Sequence, residues 1–331
     1  MLRPSLHHSA APPSNPPVTL ARHAMATRFE VVLYGDNPVR LRAAGEEALD
    51  EIERLEAQLS LYRPSSEIAH LNARAAREPV RVTPSLFALL EHSKRLSAET
   101  GGAFDITVAP LVRCWGFMEN RGRLPELAEL EKARACIGMD LVQLNAENFT
   151  VRFRREGVML DLGAIGKGYA IERAAELLVE AGVTSALIHG GTSTVYAIGH
   201  PPGAEAWLIA LEAPQGMQEP VRAPIATVSL RDEALSVSAV WGRCFEAGGK
   251  VLGHVLDPRT GHPVEGVLLS AVVLRSATET DALSTALLIL GSEGHEKIAN
   301  LRPGMRTLLV TERGGQMLVD GRGIKSRVAA S

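Results

Sequence analysis

Three short stretches of this sequence set oxygen and nitrogen groups at spacings that could do chemistry. In Asp161-Leu-Gly-Ala-Ile-Gly-Lys-Gly168 a carboxylate is followed by three glycines, a lysine and a helical pattern. Amides exposed at a helix start, with a lysine beside them, suit an anionic group. The glycines also leave carbonyls such as that of Ala164 able to face a cation. An ordinary strand-to-helix turn accounts for the same letters. In Asp281-Ala-Leu-Ser284-Thr285, positions i, i+3 and i+4 share one helical face. One carboxylate and two hydroxyls then converge, an all-oxygen set for a hard cation such as Mg2+. The competing reading is a capped helix start, with Thr278 and Asp281 as a capping-box variant. In His254-Val-Leu-Asp-Pro-Arg-Thr-Gly261 a histidine precedes two turn signals. Imidazole titrates near neutrality and can act as a general base, although a lone histidine more often serves structure. Arg259 reads equally as a phosphate partner or a solvated charge. Phe104-Asp-Ile-Thr107 reads as a loop, and Tyr62 either stacks on a flat ring or packs.

Several common sites are absent. Residues 161–168 lack the leading glycine and final Ser or Thr of a Walker A loop, and Ile171 breaks a GxGxxG reading. The 10 histidines include no HExxH, and Ser193 lies in Gly-Thr-Ser-Thr-Val, not in a GxSxG elbow. Cys114, Cys136 and Cys244 form no CxxC pair, so neither a disulfide framework nor a structural zinc site is expected. They read as small apolar fillers in a reducing compartment.

Composition bounds the rest. The 331 residues are 46% apolar and 22% charged, which excludes general disorder. The formal charge of -3 offers no basic excess for nucleic acid. The longest apolar runs, such as Ala286–Leu290, are far short of the ~20 residues a membrane span needs. Residues 1–20 hold five prolines and no apolar core of a secretory signal. They read as a disordered Pro/Ser-rich tail, with a later start at Met25 or a degraded export signal as alternatives. A cytoplasmic location follows from that reading, and a periplasmic one if the start is mis-assigned.

The elements that must position these groups can be read coarsely. Phe29–Tyr34 is a strand, and Asn37-Pro38 caps a helix carrying Leu41, Ala48, Ile52, Leu55 and Leu59. Ser66 to Asn72 forms a short helical turn. Thr83-Pro84 caps a helix closed by Gly101-Gly102, and Pro125 to Cys136 forms another. Val158–Leu162 and Ser185–Ile188 are strands flanking a helix from about Gly168 to Ala181. Further strands are expected at Trp207–Leu211, Ile225–Leu230, Ala271–Leu274, Thr307–Val310 and Gln316–Val319, with a helix from Asp281 to Leu290. Runs of strands favour an α+β fold over a doubly wound sheet. The organisation expected is a tail at 1–23, one domain at 24–322 and a short tail at 323–331.

In this order the segments resemble the ApbE-type FAD:protein FMN transferases. The matching stretches are Met25-Ala-Thr27, Ser60–Ile68 with Leu71-Asn72, Gly102–Leu111 with Trp115-Gly-Phe117, Leu160–Tyr169, Gly190-Gly191, His254–Pro263 and Asp281–Ala286 with Leu290-Gly291. The resemblance implies mixed and antiparallel sheets with packed helices, in a single catalytic domain of two lobes. It implies Mg2+-dependent transfer of FMN from FAD to a Thr or Ser hydroxyl of a target flavoprotein, with release of AMP. The metal would be held by the Ala164 carbonyl and Asp281, with Ser284 and Thr285 beside it. FAD would be contacted at Met25, Tyr62, Ala103, Phe104, Asp105, Asp161, Lys167 and around Leu256, and His254 would take the proton of the incoming hydroxyl. Three positions depart from the family pattern: Ala26 for glycine, Ile106 for proline, and Thr192 for an Asp after the paired glycines. Two other outcomes stay open, an FAD pyrophosphatase and an FAD-binding protein without turnover. No nucleic acid is expected as a partner, and the oligomeric state is left open.

Overall fold

The computed structural model describes residues 2–4 (backbone only), 16–119, 121–213, 224–242 and 244–326. The first half runs β1 (Leu2–Pro4), β2 (Val18–Ala24), β3 (Thr27–Leu33), α1 (Pro38–Leu59), α2 (Glu67–Arg74), β4 (Val80–Arg81), α3 (Pro84–Glu99), α4 (Ala109–Cys114), α5 (Leu127–Arg134), β5 (Val142–Asn145) and β6 (Thr150–Phe153). It is followed by α6 (Gly166–Glu180), β7 (Ala186–Gly190), β8 (Thr194–Ile198), β9 (Trp207–Leu211), β10 (Ala226–Leu230) and β11 (Glu233–Ala239). The chain closes with β12 (Cys244–Ala247), β13 (Lys250–Gly253), β14 (Val267–Leu274), α7 (Ala277–Ala299), β15 (Arg306–Arg313) and β16 (Gln316–Arg322).

Local capping chemistry starts the helices where the sequence says. Asn37 accepts from the Arg40 N–H at 3.0 Å, Ser66 from Ala69 at 2.9 Å and Thr83 from Leu86 at 3.4 Å. The last long helix starts earlier than expected. Ser276 caps it through the Glu279 N–H, so Thr278 and Asp281 form no capping box and Asp281 lies one turn inside.

An eight-stranded sheet in the order β16-β15-β14-β11-β8-β7-β3-β2 carries the fold, every pair antiparallel. Alternating side chains send its two faces into different cores. Phe29, Val31 and Leu33 pack with α1, α6 and α7, while Val32 joins Trp207, Ile209 and Val228 of the β1-β9-β10 sheet on the other face. The same alternation in β11 turns Leu235 and Val237 to that second core and Ala234 toward the helices. Ser236 and Ser238 share the Ala234 face. A third cluster joins α4 and α5 to the β12–β13 hairpin through Trp115, Phe117, Leu130 and Leu252. The α+β expectation holds. Among the described residues no helix is long and apolar enough to cross a membrane.

Three expectations are corrected. The segment expected to be a tail contains β2, which pairs with β3 from Val18↔Leu33 to Ala24↔Thr27 and buries Val18, Leu20 and Ala24. Residues 2–4 pair with β9, and 5–15 lie outside the described residues. At the other end Gly323 and Ser326 bridge to Thr307 and Ala226 and Ile324 is buried, so ordered structure passes residue 322; 327–331 lie outside the described residues. Val158–Leu162 is no strand. The Asn72 side chain binds both the N–H and the C=O of Leu160, and the Asp161 N–H donates to Ile106 O, which takes the place of a ladder. Of the cysteines, Cys114 and Cys136 are buried fillers while Cys244 is exposed on β12.

Candidate active site

The start of α6 lies directly on α7. The Gly168 N–H donates to Asp281 Oδ2 at 2.9 Å, and a Cβ at Gly168 would sit 2.1 Å from Ala277 O. Only glycine permits that approach. In a regular helix the same N–H would bond the Ala164 carbonyl, four residues back, so that carbonyl is left without its helical partner. Asp281 is 5% exposed, and no cationic side chain among the described residues pairs with it. Lys167 is half-buried and touches the Gly163 carbonyl at 3.3 Å, and Asp161 Oδ1 accepts the Gly163 N–H at 2.8 Å. The structure thus brings Ala164, Lys167 and Asp281 to one helix junction.

The hydroxyls of α7 turn toward β11. Ser284 and Thr285 both donate to the Asp281 carbonyl, at 3.0 and 3.3 Å. Both also meet Ser238 Oγ, at 2.8 and 3.2 Å. One turn earlier Thr280 meets Ser236 at 2.8 Å, and Ser236 reaches Thr194 at 3.1 Å. Ser284 is sealed at 0% exposure, whereas Thr285 is half-buried. Sequence reasoning missed Ser236 and Ser238; the strand alternation through Ala234 was the signal that could have found them.

Behind this turn an ion-pair network ties α3 to α7. Glu279 bonds Arg302 at 2.8 Å and His92 at 3.0 Å, and Arg302 also reaches Glu99 at 2.6 Å. Burial would raise the Glu279 carboxyl, but the His92 and Arg302 hydrogen bonds outweigh it and hold it down at about 2.

The loop before α4 lies alongside. Asp105 accepts from the Thr107 N–H and hydroxyl at 2.8 and 2.6 Å, and burial raises its pKa against those hydrogen bonds. Ala103 and Phe104 are 0% and 1% exposed, and Leu256 is 3% exposed, so these three are packed in apolar cores rather than presented as side chains. An open cleft of about 510 Å³ runs between the Asp105 loop and the turn after β13, lined among others by Gly102, Asp105, Arg134, Gly138, Pro258 and Arg259. Arg259 is bonded to Asp257 by two side-chain bonds of 2.9 and 2.7 Å and stays exposed at the rim of this cleft.

The remaining positions lie on other loops. Met25 and Ala26 form the β2–β3 turn with φ 49° and 56°, and Met25 packs on the main core. Gly191 stands over that hairpin: its N–H donates to Arg28 O at 2.8 Å, and a Cβ there would fall 2.3 Å from Thr27 Oγ1. Thr192, next to it, is exposed. Tyr62 is 59% exposed on the loop after α1. His254 is half-buried just after β13, edge-on to the Phe117 ring at 6.5 Å.

Comparison with known proteins gives consistent matches. The model of the ApbE family matches residues 25–309. A Treponema pallidum protein named FAD:protein FMN transferase is 31% identical over 305 residues, covering 88% of this chain and 83% of the relative. A Haemophilus influenzae protein of the same name is 30% identical over 292 residues, 85% of this chain and 83% of the relative. The crystal structure of the apo form of Pseudomonas stutzeri flavinyl transferase ApbE superposes with a TM-score of 0.80 at 29% identity, covering 92% of this chain and 94% of that one. The Thermotoga maritima ApbE protein gives 0.81 at 29% identity, with 91% and 96% covered.

Proposed function

This chain belongs to the ApbE family, and from that premise we propose that it is a flavin transferase that moves FMN from FAD to a Thr or Ser hydroxyl of a target flavoprotein, releasing AMP. The observation that carries the reading is the buried Asp281 carboxylate, which holds a neutral amide and, among the described residues, no cationic side chain at the mouth of α6. A buried ionised carboxylate without a counter-charge is costly. The all-oxygen chemistry of this donor set suits a hard cation such as Mg2+. The residues present fit: the Asp281 carboxylate and the Ala164 carbonyl would hold the ion, with Ser284 and Thr285 beside them. Bound there, Mg2+ would neutralise charge on the pyrophosphate oxygens of FAD.

The chain's own groups do the rest. Lys167 binds phosphate oxygens and holds the FMN phosphorus in line with the acceptor. His254 accepts the proton of the incoming hydroxyl as its oxygen bonds to phosphorus. The phosphorus–oxygen bond to the AMP half breaks, and AMP leaves with the electron pair. Asp161, Asp105, Met25 and Tyr62 border the flavin nucleotide, and Ala103, Phe104 and Leu256 shape its walls from within the core.

AMP release tests the reading. With FAD and Mg2+, AMP is expected to appear only when an acceptor flavoprotein is present, in step with its flavinylation. AMP formed at full rate without acceptor would make the protein a pyrophosphatase, and bound FAD that never yields AMP would make it a binding protein.

A further inference from the structure

We infer that Glu172 is a positioning residue for the divalent cation: from α6 it grips the first turn of α7 and so sets where the Asp281 carboxylate stands. The inference rests on the cation reading above and adds a residue outside it. The first amides of a helix have no partner within that helix. The start of α6 is not capped by a side chain of its own segment, since Ile165 stands at the cap position. Its third amide, that of Gly168, goes instead to Asp281 of α7 at 2.9 Å. The exchange also runs the other way. The second amide of α7, that of Thr278, donates to Glu172 Oε2 of α6 at 2.7 Å. The Ser276 hydroxyl donates to the same oxygen at 2.8 Å while it accepts the Glu279 N–H. Each helix thus caps the other with a carboxylate.

Two bonds do what one cannot. The Gly168–Asp281 bond alone is a pivot about which α7 can rock on α6. Glu172 lies about one helical turn, roughly 5.4 Å, beyond Gly168, whereas Thr278 precedes Asp281. The two helices therefore run in opposite directions where they touch. The second bond fixes the angle and the depth of α7 against the Ala164 end of α6. On its other side the same turn is tied through Glu279 to His92 and Arg302, at 3.0 and 2.8 Å. The turn that precedes Asp281 is held from both sides. Both bonds to Glu172 end on one oxygen, so its reach and its acceptor matter. A glutamine carbonyl can take that oxygen's place. An aspartate, one methylene shorter, cannot reach it.

Mn2+ reports binding directly, through loss of the paramagnetic signal of the free ion. It is titrated into the full chain with FAD bound and no acceptor. Glu172→Ala is expected to weaken Mn2+ by about tenfold, the usual cost of losing a group that orients a ligand. Glu172→Gln should bind close to wild type, and Glu172→Asp should fall with Glu172→Ala. FAD affinity without metal should match in wild type and all three variants, which a general packing defect would not allow. Where Glu172→Ala fails to fold, Glu172→Asp carries the same test. Unchanged Mn2+ affinity in Glu172→Ala or Glu172→Asp overturns the inference. So does Glu172→Gln binding as weakly as Glu172→Ala, or a parallel loss of metal-free FAD affinity. Wild type binding Mn2+ no better than Asp281→Ala would overturn the cation reading itself, so the two failures are told apart.

Discussion

The amide of Gly168 and the carboxylate of Asp281 meet at 2.9 Å across two helices, and that bond fixes the junction on which the site is built. A Cβ at Gly168 would lie 2.1 Å from Ala277 O and 2.7 Å from the Asp281 Cβ, both parts of a helix that cannot give way locally. Gly168→Ala should therefore push α6 off α7 and cost about 2–3 kcal/mol, as overpacking does. Urea unfolding measures the loss. FMN transfer should fall in the fraction still folded, because Asp281 loses its amide.

The β2–β3 turn yields a change of opposite sign. Ala26 is exposed at φ 56°, a region that disfavours a Cβ. Ala26→Gly should raise stability by about 0.5–1 kcal/mol, the left-handed strain exceeding the entropy glycine adds to the unfolded chain. A higher urea midpoint with unchanged slope is the expected result.

His254 should act on chemistry and not on binding. His254→Gln keeps a polar side chain of similar reach but no base, so transfer should drop by about 10²–10⁴-fold. FAD affinity, read by quenching of flavin fluorescence, should stay close to that of wild type.

Stability should fall on mild acidification because of His295. It is fully buried between Asp320 Oδ2 and Thr307 Oγ1, both at 2.8 Å. Burial lowers its pKa below 6.5, although the Asp320 charge opposes this and Arg322 adds to it. The unfolded chain thus takes up the proton first. The contribution of His295 is complete above pH 6.5 and declines as pH falls from there through the depressed folded value. His295→Gln should unfold with a shallower dependence on pH between 7 and 5.

The features legible in the sequence were those set by local chemistry. Asn37, Ser66 and Thr83 cap their helices because each needs only a side-chain oxygen and an amide three residues on. Trp207–Leu211 is a strand with the expected ends. Long-range substitutions stayed hidden. Val158–Leu162 has a strand's apolar run, yet Asn72, 88 residues away, takes its hydrogen bonds. The proline run before residue 18 masked β2, whose partner is the next strand. In the candidate site Asp281, Lys167 and Ala164 were readable as types, but their meeting depends on Gly168 fitting under Ala277. Ser238 was marked only by the alternation through Ala234, and its contacts with Ser284 and Thr285 depend on β11 lying against α7.

The most direct measurement is the intact mass of an acceptor flavoprotein after incubation with FAD and Mg2+ and either wild-type protein or Asp281→Ala. Wild type should add one FMN to the acceptor hydroxyl while Asp281→Ala adds none. Equal labelling by the two proteins would contradict the account.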